Sequence, residues 1–167
     1  MRIVDEEDHD VPAGEAGEII VQGPNVSSGY WMRPEETKKT IRNGWFHTGD
    51  MGRRDDDGFL YIVGRKVEMI ISSGENIYPA EVERAIEALP EVREAAAVGM
   101  PDNRRGEVVA AFVLLHEDQT LSESDVIHGL RGWIAQYKMP RKIFFVDQFP
   151  RNTAGKILKR ELKKRLE

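Results

Sequence analysis

The stretch GRKVEMIISSGENIYPAEVERAIEAL, residues 64–89, decides the fold class, because its pattern passes from strand to loop to helix. Met69–Ile71 is typical of a short strand, and the Gly-containing stretch Ser72–Asn76 is typical of a loop. Pro79 then opens a helix whose first turn carries acidic residues, which the helix dipole favours at that end. The apolar face of this helix consists of Val82, Ile86 and Leu89. A strand followed so closely by an amphipathic helix indicates a unit that contains both.

The residues before this stretch are rich in strand signals. A strand is predicted at Gly17–Gln22, and a short helix with proline in its first turn is predicted at Pro34–Ile41. Asp55–Gly58 ends in the Asp-Gly pair that favours a tight hairpin turn, and it leads into the aromatic and β-branched strand Phe59–Val63. The first part of the chain is therefore predicted to be β-rich.

Strands alternate with helices in the rest of the chain. Further strands are predicted at Val92–Val98, Val108–Leu115 and Ile143–Val146. A second helix begins after Ser122, where Asp125 completes a weaker form of the capping box, and it ends before Pro140. The side chains expected on its buried face are Val126, Leu130, Trp133 or Ile134, and Tyr137. The last helix is expected to place Leu158, Leu162 and Leu166 on one face.

The change of pattern at Gly64-Arg65-Lys66 predicts a domain boundary. Residues 1–65 are expected to be a β-rich piece that leads to a hinge. Residues 66–167 are expected to form a small domain with a short sheet flanked by helices. The fold class predicted for the chain is thus α+β.

Composition excludes several classes of protein. Of the 167 residues, 40% are hydrophobic and 32% are charged, a balance typical of a soluble globular protein. No apolar run approaches the roughly 20 residues that cross a bilayer, and the N-terminus lacks a targeting pattern, so a cytoplasmic protein without a membrane span is expected. The absence of cysteine excludes disulfides, thiolate metal sites and a cysteine nucleophile. The histidines lack metal-site spacing, and no metal ligand is predicted.

Charge is distributed unevenly along the chain. Residues 151–167 contain seven Lys or Arg and two Glu, whereas the net charge of the whole chain is −5. A basic C-terminus on an acidic body indicates either an anionic ligand or partner, or a solvated helix face. Nucleic-acid binding is not expected, because the body is acidic and its basic and aromatic residues do not interleave.

Three places in the sequence carry candidate functional residues. Lys156 ends the stretch PRNTAGK, where a lysine on a flexible Gly-containing turn suits a carboxylate or phosphate oxygen. Asp50 ends Thr-Gly-Asp after a predicted strand, where a carboxylate can accept hydrogen bonds from the vicinal hydroxyls of a ribose. The loop Ser72–Asn76 offers Gly74, beside which a backbone can approach a ligand closely. Taken singly, each of these is also typical of an ordinary solvated turn.

Taken in order, four segments closely resemble the C-terminal signatures of the superfamily of acyl-CoA synthetases, luciferases and peptide-synthetase adenylation domains. The segments are GWFHTGD at 44–50, GFLYIVGR at 58–65, IISSGENIYPAEVE at 70–83 and PRNTAGK at 150–156. The resemblance extends from about Gly14 to Leu166. The sequence Gly-Glu-Asn-Ile-Tyr-Pro at residues 74–79 is most similar to that of acyl-CoA and aryl-CoA synthetases.

The resemblance implies a ligase that joins a small carboxylic acid, fatty or aryl, to CoA at the expense of ATP. The acid and Mg-ATP would form an acyl-adenylate and diphosphate, and the CoA thiol would then displace AMP. A small C-terminal domain, the AMP-binding domain, would rotate between these two steps. The resemblance also implies that Mg²⁺ is bound mainly by residues upstream of this sequence.

The resemblance assigns a role to six residues of this chain. Asp50 would hold the ribose hydroxyls, Arg65 would support the nucleotide, and Lys156 would bridge the acid and the phosphate during adenylation. The residues assigned to the thiol-transfer step are Ser73 and Gly74, which would border the pantetheine channel, and Asn76, which would face the adenylate.

The chain departs from the family pattern in two respects. The hinge position, two residues after Arg65, is Val67 where the family usually has Asp or Lys, and Lys66 stands beside it. The family's phosphate loop and acid-binding pocket would lie upstream of Met1, so the chain is expected to be the C-terminal part of a longer enzyme and inactive alone. Two alternatives stay open: an adenylation domain that loads a carrier protein, and a non-catalytic interaction module of the same fold.

Overall fold

The structure, a computed structural model, describes residues 1–166, and the chain forms two compact units. The first unit ends at Val67 and the second begins at Glu68. Each unit has its own β-sheet, and the strand ending at Arg65 belongs to the first sheet only. The predicted α+β class is confirmed, because helices and two largely antiparallel sheets occur together.

The units divide slightly later than the pattern change at Gly64-Arg65-Lys66 indicated. Lys66 stays with the first unit because its ammonium lies 3.0 Å from a carboxylate oxygen of Glu18, a residue of the first sheet. Val67 follows it and is 88% exposed.

The first unit is an antiparallel sheet with one short helix. Its elements are β1 (Arg2–Val4), β2 (Ala16–Val21), α1 (Pro34–Thr40), β3 (Ile41–Arg42), β4 (Trp45–Arg54) and β5 (Leu60–Arg65). The strand order is β1-β2-β4-β3, and β5 also pairs with β4. The early strand, the short helix and the Asp-Gly hairpin predicted from the sequence are all present. The buried apolar side chains of this unit are Ile3, Val4, Ile19, Ile20 and Met51.

The second unit is a mixed sheet covered by helices. A 3-10 helix at Lys66–Glu68 leads into it, and its elements are β6 (Ile70–Ser72), β7 (Glu75–Ile77), α2 (Pro79–Glu87), β8 (Val92–Asp102), β9 (Gly106–Leu115), α3 (Glu123–Gly129), a 3-10 helix (Gln136–Lys138), β10 (Lys142–Phe145) and α4 (Lys159–Lys163). The strand order is β10-β9-β6-β7, and β8 also pairs with β9. Only the pairing of β10 with β9 is parallel among the strand pairs described.

Strand β9 is the centre of the second unit, and both of its faces are buried. Val109, Ala111 and Val113 pack into the cluster that contains the apolar residues of α2 and α3. Ala110 and Phe112 point to the opposite face, where they pack into a second cluster that includes Leu162 of α4. Burial on both faces explains why the sequence of this strand is an unbroken apolar run rather than an alternating one.

Two glutamates of α2 bind the outer edge of β8. A side-chain oxygen of Glu83 accepts a hydrogen bond from the Ala97 amide at 2.8 Å, and one of Glu87 accepts from the Ala95 amide at 3.0 Å. Residues four apart on a helix lie on one face, as do residues two apart on a strand edge. The two carboxylates therefore accept hydrogen bonds from backbone amides on the edge of β8 that has no partner strand among the residues described.

The helix predicted from Ser122 to Pro140 is shorter than expected. Its capping box with Asp125 is present as predicted, but α3 ends at Gly129. Gly132 has a φ of +84°, which a continuing right-handed helix does not allow. Of the alternatives Trp133 and Ile134, Ile134 packs against the core cluster and Trp133 is 71% exposed, whereas Tyr137, also expected on the buried face, is 41% exposed.

Helix α4 is also shorter than the leucine spacing suggested. Leu158 is its N-cap, Leu162 is fully buried, and Leu166 packs against the same cluster although it lies beyond the helix. The predicted buried side of the segment is therefore correct even though its helix has only five residues. Among residues 1–166, the helices are all too short or too polar to cross a bilayer.

Candidate functional site

Asp50 and Arg65 meet across the first sheet. They are direct partners in the register of β4 and β5, and an Arg65 guanidinium nitrogen donates to an Asp50 carboxylate oxygen at 2.7 Å. The same nitrogen donates to the Thr48 carbonyl at 3.2 Å. Both side chains are partly exposed, at 36% for Asp50 and 53% for Arg65. Such a pair can receive hydroxyl donors on the carboxylate and present the remaining guanidinium N–H groups to an anion.

The irregular stretch of β4 before Asp50 is held by hydrogen bonds to strand β2. The Thr48 hydroxyl donates to the Ile19 carbonyl at 2.7 Å and accepts from the Asp50 amide at 3.0 Å. Gly49 has a φ of +72°, and its amide donates to a carboxylate oxygen of Glu18 at 3.2 Å. The register of β2 against β4 shifts at this point. An irregular strand of this kind turns a side chain away from the regular ladder.

Glu18 is a buried carboxylate that contacts this irregular stretch of β4. It is 5% exposed, and its second oxygen lies 3.0 Å from the Lys66 ammonium and 3.3 Å from Nδ1 of His47. Burial would raise the pKa of Glu18, but the hydrogen bonds with Lys66 and His47 outweigh burial and lower it. Glu18 is therefore a carboxylate anion with a lysine partner at neutral pH.

His47 stands between opposite charges. Its Nδ1 lies 2.7 Å from an Arg42 guanidinium nitrogen and 3.3 Å from the Glu18 carboxylate, so Nδ1 can accept from Arg42 or donate to Glu18 but not both. Its Nε2 is buried without a hydrogen-bond partner among residues 1–166, and the nearest carboxylate oxygen, from Asp8, is 3.7 Å away. The histidine ring thus extends the polar cluster around Glu18 to the loop after β1.

Lys156 ends a loop whose backbone is closed by hydrogen bonds. The Asn152 side-chain oxygen accepts from the amides of Ala154 and Lys156 at 3.0 and 2.9 Å. The Asn152 amide donates to the Lys156 carbonyl at 2.9 Å, and the Leu158 amide donates to the Pro150 carbonyl at 2.8 Å. The sequence indicated a flexible turn, but these bonds hold the backbone on both sides of the lysine. Only the side chain is left to move.

The environments of Lys156 and Lys159 are opposite. Lys156 is exposed and forms no ion pair with a carboxylate among residues 1–166. The Lys159 ammonium lies 2.7 Å from Glu68 and 2.8 Å from Glu83, and its side chain is 21% exposed. Burial alone would lower the pKa of Lys159, but the two carboxylates outweigh burial and raise it. The second unit therefore fixes Lys159 and leaves the side chain of Lys156 exposed to solvent.

Ser73 and Gly74 form the two-residue turn of a hairpin. Their φ angles are +53° and +85°, so both lie in the left-handed region that tight two-residue turns require. The Ser73 amide also donates to the Arg105 carbonyl at 2.8 Å, which ties this turn to the loop between β8 and β9. The predicted loop at Ser72–Asn76 is therefore wrong in part, because Asn76 lies in strand β7. All three candidate residues of this hairpin, Ser73, Gly74 and Asn76, are exposed.

The structure brings some of the candidate residues together. Asp50 and Arg65 form one pair in the first unit. In the second unit, no hydrogen bond or ion pair of the described residues joins the Ser73–Gly74 turn to Lys156. Sequence reasoning missed the residues that hold these groups, namely Glu18, Thr48, Lys66 and Lys159. A glutamate next to the apolar run Ile19–Val21 was the one available signal.

The described residues offer no metal site beside these candidates. The potential metal-ligating cluster of residues 1–166 consists of Asp5, Glu7 and His9, which are all exposed in the loop after β1. Exposed acidic groups of this kind are common without an ion. The Mg²⁺ implied by the family resemblance thus has no cluster of ligands at the candidate site, and no chemical step is derived through it.

Comparison with known proteins identifies the family. Residues 81–156 match the family model of the AMP-binding enzyme C-terminal domain. The chain is 47% identical over 163 residues to indoleacetate–CoA ligase of Aromatoleum aromaticum, covering 98% of this chain and 32% of that protein. It is 51% identical over 150 residues to 2-succinylbenzoate–CoA ligase of Geobacillus kaustophilus, covering 90% of this chain and 31% of that protein.

A solved structure agrees with this relationship. ATP-bound MatB from Rhodopseudomonas palustris superposes with a TM-score of 0.92 and 44% identity, over 98% of this chain and 33% of that one. Residues 81–156 of this chain thus carry the AMP-binding enzyme C-terminal domain, and its homologues are CoA ligases of the adenylate-forming superfamily. The chain spans about a third of the length of these curated relatives.

Proposed function

We propose that this chain provides the C-terminal part of an AMP-forming acid–thiol ligase that makes a CoA thioester. The observation that carries the proposal is Lys156, an exposed lysine without a carboxylate partner among residues 1–166, on a loop whose backbone is fixed. The Asp50–Arg65 pair supports it, since its exposed groups suit a ribose and a phosphate. CoA as acceptor is supported by the names of the relatives, which favour it over a carrier protein.

In the first half-reaction the acid carboxylate attacks the α-phosphorus of ATP, and the bond from that phosphorus to diphosphate breaks. Asp50 accepts hydrogen bonds from the ribose hydroxyls and Arg65 holds the nucleotide. The Lys156 ammonium bridges the attacking carboxylate and the α-phosphate oxygens, where negative charge accumulates. Removal of such a donor typically costs about 10² to 10³ in rate.

In the second half-reaction the CoA sulfur attacks the acyl carbon of the adenylate. The carbon–oxygen bond to AMP breaks, the thiol proton leaves to solvent, and the products are the thioester and AMP. Ser73 and Gly74 border the path of the pantetheine arm, and Asn76 faces the adenylate. The exposed turn and its φ angles suit this role, because an extended chain can pass close to a backbone that carries little side chain.

We infer a small carboxylic acid with an aromatic group as the substrate class. The proposal rests on the names of two relatives, a ligase of indoleacetate and a ligase of 2-succinylbenzoate. The fatty-acid metabolism expected from the sequence has no support among these relatives. The use of Mg²⁺ with ATP and a cytoplasmic location stay predictions.

The two half-reactions can be tested separately in the full-length protein. Lys156→Ala should lower acid-dependent ATP–diphosphate exchange about 10² to 10³-fold and leave thiolysis of a supplied acyl-adenylate nearly unchanged. Gly74→Leu should do the reverse, because a bulky side chain would obstruct the pantetheine path. Lys164→Ala, a change at an exposed lysine of the same segment, is the control. Equal damage to both half-reactions by both variants would contradict the assignment.

A further inference from the structure

Glu18 joins the middle of β4, which carries Asp50, to the end of β5, which carries Arg65. One of its carboxylate oxygens accepts a hydrogen bond from the amide of Gly49, the residue before Asp50, at 3.2 Å. The other accepts from the ammonium of Lys66, the residue after Arg65, at 3.0 Å. The carboxylate is buried, whereas the pair it underlies is partly exposed. A single buried group therefore contacts both chain segments next to the pair.

We propose that Glu18 is a positioning residue for the Asp50–Arg65 pair and that Lys66 is the cation that keeps it in place. This inference rests on the proposed role of the pair in binding the nucleotide. Glu18 itself is too deeply buried to contact a ligand, so its effect must pass through the neighbouring residues. It belongs to the supporting residues of the site rather than to its catalytic residues.

The ion pair decides where the Glu18 carboxylate points. A buried carboxylate that loses its cation is strongly destabilised and moves towards water or towards another donor. Its remaining neighbours are the Gly49 amide and His47, whose Nδ1 also lies 2.7 Å from an Arg42 guanidinium nitrogen. Without Lys66, the Glu18–Gly49 hydrogen bond should weaken, and the backbone that orients Asp50 should loosen. A misplacement of about 1 Å in a reacting group can cost about 10²-fold in rate.

Lys66 also fixes the segment that precedes the hinge position. Its ammonium holds residue 66 to the first sheet, whereas the next side chain, Val67, is 88% exposed. The geometry restrains the chain up to Lys66 and leaves the following residue without side-chain contacts that would restrain it. Any rotation about the hinge would then begin after Lys66, and Arg65 would keep its place beside Asp50 through the movement.

Amide hydrogen exchange of the full chain tests the positioning directly. Lys66→Met removes the cation but keeps the length of the side chain, and Lys66 is exposed enough for the variant to fold. Exchange at Gly49 and at residues 65–67 should accelerate about tenfold, because these amides report local opening. Lys66→Arg should restore slow exchange. Lys38→Met, at a lysine in an exposed pair with Glu35, is the control and should change neither segment.

Binding of AMP to the full-length protein tests whether the Glu18–Lys66 ion pair affects nucleotide binding. Lys66→Met should weaken AMP binding about tenfold, equivalent to about 1.4 kcal/mol, whereas Lys66→Arg and Lys38→Met should bind as the parent does. Unchanged exchange at Gly49 in Lys66→Met would overturn the inference. So would unchanged AMP affinity in Lys66→Met when Asp50→Asn binds AMP more weakly.

The Asp50→Asn variant separates the proposed function of the Asp50–Arg65 pair from the inference about Glu18. If Asp50→Asn itself binds AMP as the parent does, the proposed function of the pair is wrong. The inference that Glu18 positions these two strand segments would then be decided by the exchange rates alone, with accelerated exchange supporting it and unchanged exchange overturning it.

Discussion

Lys156 and Lys159 lie three residues apart, yet their side chains have different environments. Lys156 is solvated and unpaired among the described residues, whereas Lys159 is held by Glu68 and Glu83. A solvated lysine can bind a ligand without first breaking an ion pair. A lysine between two carboxylates instead ties the start of α4 to α2 and to the beginning of the second unit.

The two lysines make a matched pair for a stability measurement. Lys159→Met should lower the free energy of unfolding by about 2 kcal/mol, because it leaves two carboxylates close together without a cation in a partly buried site. Lys156→Met should change it by less than about 0.5 kcal/mol. Urea denaturation of both variants measures the difference. A larger loss for Lys156→Met would make Lys156 a structural residue and remove the main catalytic candidate.

The lowered pKa of Glu18 predicts how the stability of the folded protein depends on pH. Its pKa is lowered in the folded state, so its stabilising contribution is fully present above the ordinary glutamate value of 4.5 and is lost as the pH falls through the folded value. Glu18→Gln should therefore be less stable than the parent at pH 7, and the difference should shrink below pH 4.5. Thermal melting across this pH range measures it. A difference that stayed constant with pH would show that Glu18 acts through packing alone.

At the residue scale, the sequence predicted candidate ligand-binding side chains, whose roles stay predictions, but it did not indicate which side chains hold them in place. Lys156 and Asp50 were found because each stands in a short local motif that can be read from neighbouring residues. Glu18 and Lys66 are 48 positions apart, and only the folded sheet brings them together. Nothing in the local pattern of either residue indicates the other.

At the scale of elements, the Ser73–Gly74 turn shows how two residues determine a hairpin. Both occupy the left-handed region, which suits Gly74 and strains Ser73. Asparagine tolerates this region better than serine, and Asn-Gly is the preferred sequence for such a turn. The turn therefore retains strain that a better turn former would relieve.

Two substitutions in this turn should have opposite effects on stability. Ser73→Asn should raise the free energy of unfolding by about 0.5 to 1 kcal/mol. Gly74→Ala should lower it by about 1 to 2 kcal/mol through backbone strain alone, since no atom lies within 4 Å of the added methyl group. Denaturant titration of the two variants checks both signs. A neutral Gly74→Ala would mean that the turn changes its conformation readily.

Elements whose ends are marked by local chemistry were predicted well. The capping box of Ser122 and Asp125 starts α3 where expected, and Pro79 starts α2. The end of α3 was missed because apolar residues continue at helical spacing beyond it. Gly132 interrupts that spacing with a left-handed backbone that the pattern of side chains does not reveal.

At the scale of the whole molecule, each unit has its own sheet and its own buried residues. The second unit contains two apolar clusters, one on each face of its sheet. We therefore expect residues 68–167 to fold when expressed alone, because buried apolar clusters on both faces of its own sheet suit an independent domain of about 100 residues. A dispersed amide spectrum and a cooperative melt would confirm it. A spectrum of a disordered chain would mean that this unit needs the first one.

The carboxylates on the outer edge of β8 have a consequence for how the protein behaves at high concentration. The free edge of a strand is a template on which another chain can add, and the run Ala95–Val98 has the small, uncharged side chains that favour such addition. Glu83 and Glu87 already accept hydrogen bonds from two amides of that edge, so those amides are not available to an added strand. The helix thereby protects the strand from aggregation without lengthening the sheet.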